Sequence, residues 1–198
     1  MSDRLPIVGP RDFDPVALGN AETDAWAAYY RREWAPFLKS AVGMVRIGFG
    51  MPWPRTIRGA WYVLRANQVW APYPDNDPPQ ARAFMRRFYA LVARDGALQL
   101  DPAEAAWREV EWWRIHRVHQ RESELSEDDL TNSLVELYSY VYDAAPPSVH
   151  GAALHRVVAM RHSDAWVDAG CELDDPLLAA ERAELIASYT ALLEAVRR

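Results

Sequence analysis

Side chains that could carry out acid–base or metal chemistry are concentrated in residues 109–119, which read EVEWWRIHRVH. This stretch holds two glutamates, two tryptophans, two arginines and two histidines. Ferritin-type di-iron bundles need Glu-x-x-His on two helices, and zinc proteases need His-Glu-x-x-His; the sequence contains neither motif. His116, His119 and Glu122 are three positions apart, so they could form a metal-binding ladder on one side of a helix. Their charged neighbours favour the alternative of a solvent-exposed helix end.

Three of the five histidines follow in a second segment, residues 148–168. His155 and His162 are seven positions apart and therefore stack on one face of a helix, two turns apart. Mixed histidine and carboxylate ligands suit non-haem iron, manganese or zinc. One hypothesis is thus a metal-dependent oxidase or hydrolase built on a helical bundle; the competing interpretation is that the histidines lie on the surface. The ligand candidates of the metal hypothesis are His116, His119, His155, His162 and either Glu122 or Glu111.

A third group of residues points to a ligand pocket. In RTIRGAWYVLRANQVW (55–70), arginines and aromatic residues recur at spacings of three, four and seven, so they lie close to one helix face. Arginine forks match carboxylates and phosphates, and aromatic rings stack on them or on a flat ligand. We therefore expect an interior pocket for a small anionic or planar molecule, with acids of the second half of the chain as the alternative partners of these arginines. The expected ligand-binding residues are Arg58, Trp61, Tyr62, Arg65, Trp113 and Arg114, with Trp166 as a further wall.

Whether such a pocket would be catalytic is left open by the sequence, and no cofactor is indicated. If it is, His155 or His162 with Glu111 are the candidate acid–base residues, because histidine titrates near neutrality. Glu111 and Arg114 can also pair along their helix at a spacing of three. On the same helix, we expect Trp107, Val110 and Trp113 to face the core.

The composition limits the class of protein. Half of the residues are hydrophobic and 12% are aromatic, which excludes a disordered chain. The net charge of −6 argues against a nucleic-acid-binding protein. The single cysteine suits a reducing compartment, and no segment is apolar enough to span a bilayer, so a cytoplasmic protein is expected.

The charge is unevenly distributed. Residues 1–100 hold 13 basic and nine acidic side chains, whereas residues 101–198 hold nine basic and 19 acidic ones. Between Trp34 and Pro74 there is no acid. This segment predicts either docking between the two halves, an anion site, or a surface for a protein partner or a homodimer, so that a non-catalytic interaction module is a further alternative.

Helix start and stop signals divide the chain into the elements that must position these residues. The sequence predicts an all-α fold: a single-domain antiparallel bundle of about seven helices with short capped loops. Residues 1–20 are expected to form a flexible N-terminal arm and residues 21–198 the helical domain. The predicted helices run from about 22 to 47 with a kink at Pro36, then over 55–70, 78–94, 102–122, 127–143, 146–168 and 176 to near the C-terminus.

Overall fold

The helices begin where the chain carries capping residues. The structure is a computed structural model that describes residues 9–95, 97–122 and 125–197. Four helices start at an Asp-Pro pair, where the aspartate carboxylate accepts backbone N–H groups of the first turn. Proline fits the first helical position because the N–H that it lacks has no partner there. These four helices begin at Pro15, Pro78, Pro102 and Pro176.

Within the described residues the chain forms eight α-helices and a short 3₁₀ turn at Ala93–Asp95. The α-helices are α1 (Pro15–Tyr30), α2 (Trp34–Phe49), α3 (Trp53–Trp70), α4 (Pro78–Val92), α5 (Pro102–Glu122), α6 (Glu127–Tyr142), α7 (Pro146–Asp168) and α8 (Pro176–Val196). None of the helices in these ranges is long and apolar enough to cross a membrane. The described residues form helices and no strand, so the prediction of an all-α fold is confirmed for this part of the chain.

The helices pack in a closed ring. Each helix contacts the next one along the chain, and α8 in turn contacts α1. The main core cluster draws buried residues from all eight helices. A smaller cluster of Ala27, Trp166 and Leu178 lies between α1, α7 and α8. Trp166 is thus fully buried, and its indole N–H donates to the carbonyl of Glu172.

The predicted number of seven helices is wrong because the first predicted helix is two. The expected kink at Pro36 is replaced by a break at Arg32, whose φ of 61° is left-handed. Pro36 lies in the first turn of α2, where a missing N–H is tolerated. Helix α1 also begins earlier than expected, at Pro15; residues 1–8 of the predicted arm lie outside the described residues.

The ring closes through a close approach of α1 to α8. A Cβ atom on Gly19 would lie 2.7 Å from Ile186 Cγ1 and 2.9 Å from its backbone nitrogen, so only glycine fits. Polar contacts join the same two ends of the chain, since Arg197 pairs with Asp12 at 2.6 Å. The first and last helices are therefore neighbours in space.

Candidate functional site

A cavity of about 430 Å³ lies inside the ring, and all eight helices contribute residues to its lining. Aromatic side chains make up much of its wall, among them Trp26, Trp70, Trp112 and Trp113. The exposed lining residues are Arg32, Tyr73 and Arg121, and they mark its mouth. The opposite end, which we call the deep end, is formed by buried or half-buried polar residues. They are Glu22, Glu109, Tyr138, Arg156 and Tyr189.

Helices α1 and α5 present matching faces to the cavity, each with a glutamate followed by aromatic residues at helical spacing. On α1 the face consists of Glu22, Trp26, Tyr29 and Tyr30, and on α5 it consists of Glu109, Trp112, Trp113 and His116. The rings of Trp26 and Trp112 stack between the two helices, with centroids 6.5 Å apart and planes inclined by 11°. The two glutamates are therefore held close to each other by aromatic packing.

At the deep end, Glu22 and Arg156 form a buried ion pair. Glu22 is 2% exposed and Arg156 is 8% exposed. Both terminal nitrogens of Arg156 donate to the Glu22 carboxylate, and the hydroxyl of Tyr189 donates to it as well. The indole N–H of Trp26 adds a further donor at 3.2 Å. This number of donors satisfies the carboxylate, as burial of a charge requires.

Glu109 is the second carboxylate of the deep end, and its hydrogen-bond donors are neutral. The hydroxyl of Tyr89 donates to it at 2.7 Å, and the indole N–H groups of Trp112 and Trp113 donate at 3.3 and 3.2 Å. Burial raises the pKa of Glu109 above its usual value, although these hydrogen bonds and the nearby Arg156 act in the opposite direction. The carboxylate is therefore held in a costly place without a direct ion pair among the described residues.

Two buried polar atoms of the deep end have no hydrogen-bond partner among the described residues. These atoms are the hydroxyl of Tyr138 and the Nε of Arg156. Tyr138 is 7% exposed and lines the cavity. The neighbouring hydroxyl of Ser188 donates instead to the carbonyl of Ala152 at 2.8 Å. An unsatisfied buried polar group is uncommon, and in a cavity wall it indicates a place where a ligand atom can bind.

The mouth is cationic. Arg117 donates to the hydroxyl of Tyr29 at 2.9 Å and lies 5.1 Å from the ring centre of Trp70. Arg121 lies 4.5 Å from the ring centre of Tyr73. Arg32 donates to the carbonyl of Ala71, while Arg117 and Arg121 line the same opening. Within the described residues, none of these three arginines forms a salt bridge with a carboxylate.

The side of the cavity near the mouth contains His116, which is 8% exposed. Its Nε2 lies 3.2 Å from Oδ2 of Asp164 on α7, and Gln120 donates to the other oxygen of the same carboxylate at 2.7 Å. The imidazole also packs against Trp26 and Trp112. These contacts fix the ring, so His116 contributes a positioned polar edge to the wall.

Of the six residues predicted to bind a ligand, one lines the cavity and five lie outside its lining. Of these residues, Trp113 alone is among those that line the cavity. Arg58 and Trp61 are on the exposed face of α3, whereas Arg65 donates to Gln68 and lies over the ring of Phe84. The remaining members are Tyr62, which is partly buried against the core, and Arg114, which is exposed and pairs with Glu111 at 2.7 Å.

The predicted metal ligands and acid–base residues are not brought together. In the described part of the chain, no group of three or more His, Cys, Asp or Glu side chains could hold a metal ion. His155 pairs with Glu184 on the surface, and Glu122 accepts a hydrogen bond from Tyr73 at the mouth. The other predicted residues, His119, His162 and Glu111, do not line the cavity. The metal hypothesis thus gains no support from the geometry.

The deep end was not predicted because its residues come from different helices and none of them carries a local motif. The expectation that Trp107 faces the core is wrong: it is 42% exposed, whereas Trp112 is 5% exposed. A signal was nevertheless present. A glutamate followed at three or four positions by tryptophan occurs both at Glu22 and at Glu109, and this repetition predicts two faces of one site.

Comparison with protein-family models, with curated proteins and with solved structures finds no match for the chain. Its function is therefore inferred from the cavity and the side chains that line it.

Proposed function

We propose that the protein binds a small organic molecule in the cavity, with an apolar or aromatic part between the tryptophans and an anionic group at the mouth. The observation that carries this proposal is the aromatic cavity of about 430 Å³ whose mouth holds three arginines. Ligand sites of proteins typically enclose about 300–1,000 Å³ and combine apolar walls with a few polar groups. The cavity has this size and this composition.

The arginines of the mouth favour an anion because, within the described residues, none of them forms a salt bridge, and the three outnumber Glu122, the carboxylate that Tyr73 contacts there. Arg32, Arg117 and Arg121 contact aromatic rings and neutral oxygens, and they keep donors free for a carboxylate, sulfonate or phosphate. Aromatic stacking also limits their rotamers, so less conformational entropy is lost on binding. The left-handed backbone at Arg32 is consistent with a functional position, since such strain often occurs at binding sites.

Titration with 8-anilino-1-naphthalenesulfonate, a fluorescent aromatic anion, tests the proposal. We expect saturable binding with one probe molecule for each chain. The variant Arg117→Gln/Arg121→Gln should weaken it by about tenfold or more, because charge-assisted hydrogen bonds contribute about 1.5–3 kcal/mol each. The matched control Arg86→Gln/Arg87→Gln removes the same charge from exposed positions of α4 and should leave the affinity within about twofold.

The ligand-binding face that the sequence predicts on α3 is tested in the same titration. The variant Arg58→Ala/Arg65→Ala removes two arginines from α3, outside the cavity lining. Loss of binding in this variant, together with normal binding in the mouth variant, would place the ligand on α3 and contradict a site in the cavity. Absence of saturable binding to the native protein would contradict both sites.

A second candidate function is an interaction surface on α3. Trp53, Ile57 and Trp61 are 57%, 57% and 50% exposed and follow each other at spacings of four, so they form an apolar ridge in the acid-free segment. Large apolar side chains exposed side by side are typical of association surfaces. Light scattering tests this candidate: a homodimer that dissociates in a Trp53→Ser/Trp61→Ser variant would support it, and a monomer at high concentration would exclude self-association.

A further inference from the structure

The deep end of the cavity holds two carboxyl groups and, among the described residues that line it, one cation. Glu22 and Glu109 both line it, and each lies near Arg156, which is its nearest cation. Arg156 gives both terminal nitrogens to Glu22, so Glu109 is left with the neutral donors of Tyr89, Trp112 and Trp113. An ionised carboxylate without a cationic partner is unfavourable inside a protein. A cation bound beside Glu109 would remove this imbalance.

The walls around Glu109 suit a cationic nitrogen. Indole and phenol rings attract cations to their faces, and tryptophan does so most strongly. Trp26 donates its indole N–H to Glu22, and Trp112 and Trp113 donate theirs to Glu109. All three rings line the cavity. Arg156 already uses this attraction, since its guanidinium lies 5.4 Å from the ring centre of Trp112.

The hydroxyl of Tyr138 gives an independent indication of a ligand. It is buried in the cavity wall, and no described residue forms a hydrogen bond of regular geometry with it. The hydroxyl of Ser188 is a polar contact of this group, and Tyr138 lies near both Glu22 and Glu109. A hydroxyl oxygen accepts hydrogen bonds, and an ammonium group has three N–H donors. A neutral alcohol would also satisfy Tyr138, but it would leave the charge of Glu109 unbalanced. A metal ion is disfavoured because no suitable ligand cluster exists among the described residues.

We infer that the deep end binds a protonated amine, so that the ligand is an amphoteric molecule with an ammonium group beside Glu109 and Tyr138 and an acidic group at the mouth. This inference rests on the proposed function, because it assigns the opposite end of the same ligand. The ligand class is thus an elongated amino acid whose amine and acid are separated by an apolar or aromatic spacer. The ammonium group would then neutralise Glu109, and the acidic group would neutralise the arginines of the mouth.

Calorimetric titration with three matched series tests the inference: ω-amino acids, ω-hydroxy acids and unsubstituted fatty acids of about six to twelve carbons. At the best-fitting length, we expect the amino acid to bind about tenfold or more tightly than the hydroxy acid, because only the ammonium neutralises Glu109. In Glu109→Gln this ratio should fall to about threefold or less. In the matched control Glu104→Gln, on the surface of α5, the ratio should persist.

The substitution Tyr138→Phe provides a second test that does not depend on tolerance of Glu109→Gln. It removes a hydroxyl that forms no hydrogen bond of regular geometry with a described residue, so the fold should be retained, and the preference for the amine should decrease several-fold. An equal or better affinity for the hydroxy acids, or an unchanged ratio in both variants, would overturn the inference. In that case, binding of the fatty acids or of the naphthalenesulfonate would still support the proposed function, whereas failure of every probe to bind would overturn both.

Discussion

Glu181 on α8 offers the sharpest test of the energetics of this fold. Its side chain is 1% exposed, and neither carboxylate oxygen has a hydrogen-bond partner among the described residues. Burial raises the pKa of Glu181 to about 8 from an ordinary value of 4.5. The negative charges of Glu22 and Asp164 act in the same direction, whereas Arg182 and Arg156 oppose them. The folded protein therefore keeps this carboxyl group protonated at neutral pH.

The sign of the effect on stability follows from the two pKa values. Below pH 4.5 the carboxyl is protonated in both the folded and the unfolded chain, so it does not affect stability. As the pH rises towards 8, the unfolded chain has released the proton and the folded chain has not, so the free energy of unfolding decreases. At about 1.4 kcal/mol for each pKa unit, the interval between 4.5 and about 8 corresponds to a loss of at most about 5 kcal/mol.

The substitution Glu181→Gln removes this titration and keeps the size of the side chain. Urea unfolding at pH 5 and at pH 9 should show that the stability of the variant, relative to the native protein, increases by about 4 kcal/mol between the two conditions. Titrating groups that do not interact with Glu181 cancel, because both proteins contain them. The control Glu194→Gln, at an exposed position of the same helix, should give a difference that does not change with pH.

Parallel pH profiles for the native protein and Glu181→Gln would refute this reasoning. They would mean that the carboxyl group reaches solvent or a cation in the folded chain. A profile in which the native protein becomes more stable with rising pH, relative to the variant, would reverse the sign and identify a stabilised carboxylate.

Three further predictions concern packing, charge and capping, and each is measured by urea unfolding. Gly19→Ala should destabilise the protein by about 1–3 kcal/mol, because its Cβ would lie 2.9 Å from the backbone nitrogen of Ile186; an unchanged midpoint would show that α1 and α8 can separate freely. Glu22→Gln should cost about 3–5 kcal/mol by leaving Arg156 buried without its partner, whereas the double variant Glu22→Gln/Arg156→Met should cost less than that single change; additive losses would argue against the ion pair. Ser126→Ala should cost about 1 kcal/mol by removing the capping box of α6, and a neutral result would indicate that water replaces the cap.

Much of the fold could be predicted from the sequence because helix ends depend on local chemistry. The capping box at Ser126 and the prolines at Pro78, Pro102 and Pro176 gave the starts of four helices correctly. The break at Arg32 could not be predicted, since a non-glycine residue in the left-handed region leaves no reliable local signal. After the break, Trp34 and Phe37 contact each other and pack into the main core cluster. This tertiary packing, and not a local sequence preference, goes together with the break.

The site was less predictable because its polar groups find their partners across the fold. Glu22 and Arg156 are 134 positions apart, and nothing in either helix alone indicates the pair. Periodicity assigns a charged residue to the solvent side, yet Glu109 faces the cavity together with its aromatic neighbours. For the same reason the spacing of the arginines of α3 predicts a site, whereas Arg117 and Arg121 are among the charged neighbours that indicate a solvent-exposed end of α5.

Because the helices form a closed ring around the cavity, a bound ligand would contact residues from α1 through α8. The hydroxyl of Tyr189 meets the carboxylate of Glu22 across 167 positions, so the deep end is completed by the last helix and cannot exist in a fragment that lacks it. Because every helix from α1 to α8 lines the cavity, unfolding of any one helix would also disrupt the binding site. By thermodynamic linkage, each tenfold increase in the free concentration of a ligand above its Kd would add about 1.4 kcal/mol to the free energy of unfolding of the whole bundle. An increase in the Tm of the whole protein would thus report that the cavity is occupied.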